Sequence, residues 1–224
     1  MGRTPPSAPD PRSGLESYAA FRALSSVPFY RRRLPHWYEI DRPVFVTWRL
    51  AGSLPANRYF SDATTASGKA FVVMDRLLDS APSGPLYLGR CEIAQMIVEA
   101  IHYNESNLGH YSLHVFAVMP NHVHLLISPR IPLPKITRSL KGITAKRANE
   151  DLGLTGRPFW QEESYDRLVR DESEFERIRR YIERNPVRAA LVREAADYRW
   201  SSAGWATEGS LAVQRDHPTP RILQ

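Results

Sequence analysis

Residues 112–128 read SLHVFAV, then MPN, then HVHLLIS. Each flanking run is of strand length and rich in β-branched and aliphatic residues. The break between them carries Pro120 and Asn121, which favour turns. Ser112–Val118 and His122–Ser128 are therefore expected to be two strands of an antiparallel hairpin. That pairing commits the middle of the chain to a sheet, and the other segments have to be arranged around it.

Val44–Leu50 (VFVTWRL) supplies a further strand, and Gly52 to Ala66 reads as loop. Ala70–Ser80 has helical spacing in Phe71, Met74, Leu77 and Leu78, and the Ala-Pro-Ser-Gly-Pro run at 81–85 breaks the chain. Glu92–Tyr103 is a stronger helix with Ile93, Ile97, Ala100 and Ile101 on one face. After a loop at Pro129–Pro134, Lys135 to Leu152 reads as a helix whose buried side is Ile136, Leu140 and Ile143. Phe159-Trp160 and Ser164–Val169 are short extended pieces. Glu172 to Asn185 is a charged helix with Phe175, Ile178 and Ile182 inward, ended or kinked near Asn185 by Pro186. This order fits an α+β fold, one antiparallel sheet with helices packed on one face.

The first 35 residues are rich in Pro, Ser and Arg and lack sustained periodicity. They are expected to form a flexible basic lead, with a short helix around Leu15–Leu24. Residues 36–205 then form a single domain, and 206–224 a loose tail. Arg31, Arg32 and Arg33 end the lead and read either as a solvated basic turn or as a contact for DNA backbone.

Composition narrows the class of function. The net charge of +6 and a sequence pI near 9.6 suit a polyanionic partner such as nucleic acid, though many soluble proteins are basic. No stretch approaches the roughly 18 consecutive apolar residues of a membrane span, and the N-terminus has no apolar run of the secretory kind. The single cysteine, Cys91, can form neither an internal disulfide nor a thiolate zinc site, so a cytoplasmic setting is expected.

Three features could carry chemistry. His122 and His124 are two apart on a strand and share a face, with Val123 turned into the core. Such a pair can hold one metal ion or can be two ordinary half-buried histidines. Zinc is one candidate, but the other histidines (His36, His102, His110, His114, His217) have no local ligand spacing, and with no second thiol near, an oxygen third ligand is favoured, which suits Mg²⁺ or Mn²⁺. Tyr181 and Asn185 stand at i and i+4 and share a helix face, so Asn185 as a ligand would hold the Tyr181 hydroxyl beside the ion. A phenol of pKa near 10 is a weak nucleophile until a cation favours its ionised form. Alone, Tyr181 reads equally as an amphipathic surface residue, and Tyr103, Tyr165 and Tyr198 compete with it. The third feature is a basic helix carrying Lys135, Arg138, Lys141, Lys146 and Arg147, with Arg157, Phe159 and Trp160 after it. Together they could bind DNA backbone and stack unpaired bases, or be solvated surface and core.

In combination these strings resemble a known family. VMPNHVHLLI at 118–127 resembles the HUH motif (histidine, hydrophobic residue, histidine) of single-tyrosine transposases. RPFWQEESYDRLVRDESEFERIRRYIERNPVRAALV at 157–192 and YRWSS at 198–202 resemble the REP-associated tyrosine transposase branch, and the resemblance covers about 43–202. It implies a ferredoxin-like α+β core with a C-terminal catalytic helix. It also implies a divalent metal on His122, His124 and Asn185, and Tyr181 as nucleophile. The implied reaction is cleavage and rejoining of hairpin-bearing, REP-like single-stranded DNA through a 5′-phosphotyrosine. The implied assembly is a monomer or a homodimer.

Overall fold

The computed structural model describes residues 29–31, 35–54, 75–79 and 84–205. In chain order these are β1 (Phe29–Arg31), β2 (Pro35–Trp37), β3 (Val44–Arg49), a helical segment at 75–79, a 3₁₀ turn (Tyr87–Gly89) and α1 (Cys91–Ser106). Then come β4 (Tyr111–Val118), β5 (His122–Pro129), α2 (Leu133–Leu152), β6 (Tyr165–Leu168), α3 (Glu172–Glu183), α4 (Asn185–Arg188) and a second 3₁₀ turn (Ala195–Asp197). The proposed helix at Leu15–Leu24, the start of the one at Ala70–Ser80, and the tail lie outside the described residues. Part of the segment expected to be a flexible lead is a strand: β1 pairs with β2, Tyr30 opposite His36. Aromatic residues of high strand propensity form this ribbon, and three-residue strands are too short to show a period in sequence.

The hairpin forms as expected and sits inside a four-stranded antiparallel sheet of order β4-β5-β3-β6. Alternation divides the side chains between two faces. On one face Val46, Trp48, Phe116, Val118, Val123, Leu125 and Ile127 pack against Ile93, Ile97 and Ile101 of α1 and against Ile136, Leu140 and Ala148 of α2. On the other, Phe45, Val115, Ala117 and Leu126 meet Ile182 of α3, with Phe175 and Ile178 half-buried beside them. Thus α1 and α2 share one face, and the C-terminal helix covers the opposite one. This is the α+β architecture expected, with its final helix set apart.

Helix ends follow local chemistry. Gly153 closes α2 at φ 66°, and its N–H donates to the carbonyls of Asn149 and Glu150. The Asp171 carboxylate caps α3 by accepting from the Glu174 N–H at 2.8 Å. Glu174 is buried and accepts from Arg167 at 2.6 Å and from the Arg170 backbone N–H at 3.0 Å, which ties α3 to β6. The helix stops at Glu183, and Pro186 sits in the first turn of α4, so the break falls at Arg184.

Two sequence expectations are corrected. Ile143 is 45% exposed. The buried stripe of α2 instead runs through Ile136, Leu140, Thr144 and Ala148, because the Thr144 hydroxyl donates to the Leu140 carbonyl at 2.6 Å and can turn inward. Trp160, read as part of a base-stacking platform, is core. It is 7% exposed, stands edge-on to Trp48, and its indole N–H donates to Thr144 Oγ1 at 3.0 Å. Phe159 is buried with it. Trp160→Ala is expected to destabilise the fold by about 3 kcal/mol, the usual cost of emptying a buried aromatic site. Urea unfolding measures this; a loss of DNA affinity at unchanged stability would return Trp160 to the binding surface.

Candidate active site

The site begins with β5. His122 and His124 fall on the α3 side of the sheet and are fully buried, while Val123 is fully buried on the other side. His124 lies opposite Thr47 of β3 and Ala117 of β4, and its ring stacks on Phe45 at 5.7 Å. The two imidazoles present Nε2 to Nε2 at 3.0 Å.

The tautomer of His122 is set by Asn121. Its side-chain N–H donates to the Leu78 carbonyl at 2.9 Å, which leaves Oδ1 facing His122 Nδ1 at 2.6 Å. A carbonyl oxygen only accepts, so Nδ1 carries the proton and Nε2 presents its lone pair. The same amide links the β4–β5 turn to the helical segment 75–79, which brings in a residue the sequence reading did not single out. Asp75 is completely buried, with Oδ1 at 3.1 Å from His124 Nε2 and 3.4 Å from His122 Nε2. Its position, three before the buried Leu78 on the apolar stripe of that helix, was the available signal: a carboxylate where a hydrophobe belongs.

Asp75 Oδ2 receives the other two expected site residues. The Tyr181 hydroxyl donates to it, and Asn185 Nδ2 donates to it at 3.1 Å. Asn185 Nδ2 is also 3.2 Å from His124 Nε2. Tyr181 and Asn185 thus act on one side although the helix breaks between them. The Tyr181 ring is edge-on to Phe45 and His124, with the Arg188 guanidinium 4.8 Å from its centre. Of the competing tyrosines, Tyr103 is exposed on α1 and the Tyr198 hydroxyl donates to the Val118 carbonyl, while Tyr165 of β6 lies opposite Thr47 with its ring edge-on to Phe45. Among the other described histidines, His110 is bound to Asn104 and His114 to Ser128, while His102 stacks on Trp205.

Burial governs the charges. It pushes His122 down from 6.5 to about 3, helped by His124 and opposed by Asp75. Burial would raise the Asp75 carboxyl, but the facing His124 and His122 and the Asn185 amide outweigh it and hold the group at about 2. Asp79, one turn on, is raised to about 6, by burial first and then by the charge of Asp75. A neutral His122 imidazole beside an ionised carboxylate is suited to a metal. Among the described residues, the ligand atoms of Asp75, His122 and His124 all lie within 4.8 Å of one another. Asn185 Oδ1 is buried and accepts no hydrogen bond from them. Two nitrogens, a carboxylate and an amide oxygen, with no thiol, fit a divalent cation of the Mg²⁺ or Mn²⁺ kind.

The basic residues lie apart from this cluster. α2 packs on the opposite face of the sheet, so it does not flank the histidines as its place in the sequence suggested. Lys135, Arg138, Lys146, Arg147 and Arg157 are exposed. Lys141 is half-buried, and its ammonium donates to the carbonyls of Gln161 and Glu162, each at 2.7 Å. A groove of about 400 Å³ runs between α2 and residues 157–164, with Arg138, Lys141 and Arg157 in its wall.

Two outcomes are expected from this geometry. Asn121→Ala should lower Mn²⁺ affinity about 10- to 100-fold through loss of the His122 tautomer; titration calorimetry that finds wild-type affinity would remove Asn121 from that role. Between pH 6.5 and 3 the unfolded chain binds a proton at His122 that the folded chain does not. The metal-free protein should therefore lose stability as pH falls through that window, and His122→Gln should make the urea midpoint less sensitive to a change from pH 7 to pH 5.

Residues 90–185 match the family model for "Transposase IS200 like". No curated protein matches the chain at a significant level. The chain is similar in structure to a REP-associated tyrosine transposase solved with a REP hairpin bound. That likeness has a TM-score of 0.50 at 16% identity and covers 87% of this chain and 98% of the other. It also matches a chain described as a candidate transposase of Deinococcus radiodurans, at 18% identity over 70% of this chain and 96% of that one, but the TM-score of 0.38 gives that likeness no weight. The family span includes both histidines, Tyr181 and Asn185, while Asp75 lies before it. Residues 90–185 thus carry a likeness to the IS200-like transposases, and the chain has the fold of a REP-associated tyrosine transposase.

Proposed function

We propose that this protein is a divalent-metal-dependent tyrosine transposase that nicks and rejoins hairpin-bearing single-stranded DNA. The observation that carries this reading is the convergence on one carboxylate. Asp75 faces both histidine Nε2 atoms through Oδ1, and takes the Tyr181 O–H and an Asn185 N–H through Oδ2. A nucleophile and a ligand set thus meet at a single point. His122, His124, Asp75 and Asn185 would hold the metal. Bound there, a divalent cation polarises a phosphodiester oxygen and favours the ionised phenol.

The chain's own residues do the rest. Asp75 holds the Tyr181 hydroxyl beside the ligands and fixes the direction of its proton. Tyr181 Oη gives its proton to solvent and attacks the phosphorus, the bond from phosphorus to the 3′-oxygen breaks, and that oxygen takes a proton from solvent to leave as a 3′-hydroxyl. The product is a 5′-phosphotyrosine at Tyr181. Attack by a 3′-hydroxyl on that bond reseals the strand and frees the phenol, so one bond is exchanged for another of similar energy. Phe45, packed against His124 and Tyr181, lines the site with apolar surface. All these side chains belong to one chain, so a monomer can build the site.

For the DNA itself, Lys135, Arg138, Lys146, Arg147 and Arg157 offer an exposed basic surface for a hairpin stem, and Lys141 lines the groove beside it. The REP hairpin in the structural relative supports this choice of partner. No helix among the described residues is long and apolar enough to cross a membrane.

The decisive experiment uses labelled hairpin-bearing single-stranded DNA with Mn²⁺ and a denaturing gel. A shifted protein band is expected, and Tyr181→Phe should abolish it while leaving hairpin binding intact. Cleavage that survives in the Phe variant without a protein–DNA bond would assign water as nucleophile; hairpin binding without any cleavage would assign a regulatory role. For the basic surface, Lys146→Ala with Arg147→Ala should weaken binding of all hairpins and flatten the salt dependence by about one unit of log–log slope per lost phosphate contact.

A further inference from the structure

Arg49 stands at the end of β3 directly opposite His122 in the β3–β5 ladder, one step beyond the Thr47–His124 pair. Alternation along β3 sends Val46 and Trp48 to the α1–α2 face, so Phe45, Thr47 and Arg49 share the face of the two histidines. Directly opposed residues in such a ladder have Cβ atoms about 5 Å apart. The Arg49 side chain therefore leaves the strand beside that of His122.

Among the described residues no carboxylate forms an ion pair with Arg49. Four arginines of α3 and its flank are paired: Arg167, Arg170 and Arg177 with Glu174, and Arg179 with Glu176 and Glu183. Arg49 is half-buried, yet no carboxylate among the described residues lies within ion-pair distance of it. Its one side-chain hydrogen bond among them runs from Nη1 to the Ser53 hydroxyl at 3.2 Å. Ser53 is itself buried and donates to the Leu50 carbonyl at 2.8 Å, so it steers the guanidinium without neutralising it. Burial lowers the Arg49 guanidinium below its ordinary value, with no acid opposing the shift. Holding a partly desolvated cation next to a cation site is costly unless an anion joins them.

We propose that Arg49 grips the scissile phosphodiester, using the planar fork of its guanidinium on two phosphate oxygens beside His122. The proposal rests on the nickase reading and names a residue that reading does not contain. The charges agree with it. A divalent cation with ionised Asp75 leaves one net positive charge, and Arg49 adds a second. A phosphodiester under attack by a phenolate carries two negative charges, so the match is better in the transition state than with substrate alone. A lysine would keep the charge but lose the two-point grip.

The test is single-turnover adduct formation by Arg49→Gln and Arg49→Lys on the labelled hairpin strand with Mn²⁺. Losing one transition-state donor should slow Arg49→Gln about 100-fold at saturating DNA, with a smaller loss for Arg49→Lys. Hairpin affinity, Mn²⁺ affinity and the thermal midpoint should stay near wild type. A neutral methylphosphonate at the scissile position should bring wild type and Arg49→Gln together, whereas one placed in the stem should not. Adduct formation at the wild-type rate in Arg49→Gln overturns the proposal. So does a loss of hairpin affinity that matches the loss of rate, which would place Arg49 on the stem, and so does a loss of Mn²⁺ affinity or stability that Arg49→Lys does not restore. Absence of adduct in wild type would instead sink the nickase reading, and the Arg49 proposal with it.

Discussion

The alternation of β5 is the constraint on which the rest depends. Val123, Leu125 and Ile127 enter the core shared with α1 and α2, and His122, His124 and Leu126 are turned to the other side. β5 is an inner strand, hydrogen-bonded to β4 on one flank and β3 on the other, so its register is held twice. A slip of one residue would put two imidazoles into the aliphatic core and three aliphatic side chains into the site. The free energy of the core therefore fixes the positions of the histidines, and they need no contact of their own to stay aligned.

Three further segments reach this platform by different means. The helical segment 75–79 is joined to the hairpin turn by one amide, Asn121, which also sets the protonation of His122. α3 is anchored by Ile182 in the core and by Glu174, whose buried carboxylate gathers arginines from β6 and from its own helix. The short α4 begins at the break after α3 and carries Asn185 fully buried, so the Pro186 interruption brings Asn185 against Asp75 and His124 and does not simply end a helix. The result is a polar cluster in low dielectric, where each unpaired charge is costly and a bound cation would relieve several at once.

The two faces of the sheet divide the work in the proposed reading. The basic surface of α2 lies on one side and Tyr181 on the other. The groove beside α2 meets the end of β3, where the Gln161 N–H donates to the Arg49 carbonyl at 2.9 Å. The groove that contains Arg138 and Arg157 thus ends against the strand that carries Arg49. A strand leaving a bound hairpin would round that end to reach the metal and the tyrosine.

Sequence alone determined the elements with a strong period: the hairpin, the strand at 44, the helices read from 92 and 135, which begin one and two residues earlier, and the break before Pro186. It also placed His122 and His124 on one face, since a strand's period of two is a local property. What it could not decide was partnership between distant segments. Asp75 lies on an otherwise apolar helical stripe, and nothing within ten residues shows that 47 residues later a pair of imidazoles will face it. Trp160 and Ile143 were misplaced for the same reason, because the inside of a helix or loop is defined by what packs on it, here Trp48 and Thr144. Local periodicity follows from backbone geometry and is written in the sequence. Burial, charge state and the meeting of Tyr181 with Asp75 follow from tertiary packing, which alone brings residues 106 positions apart into one low-dielectric site.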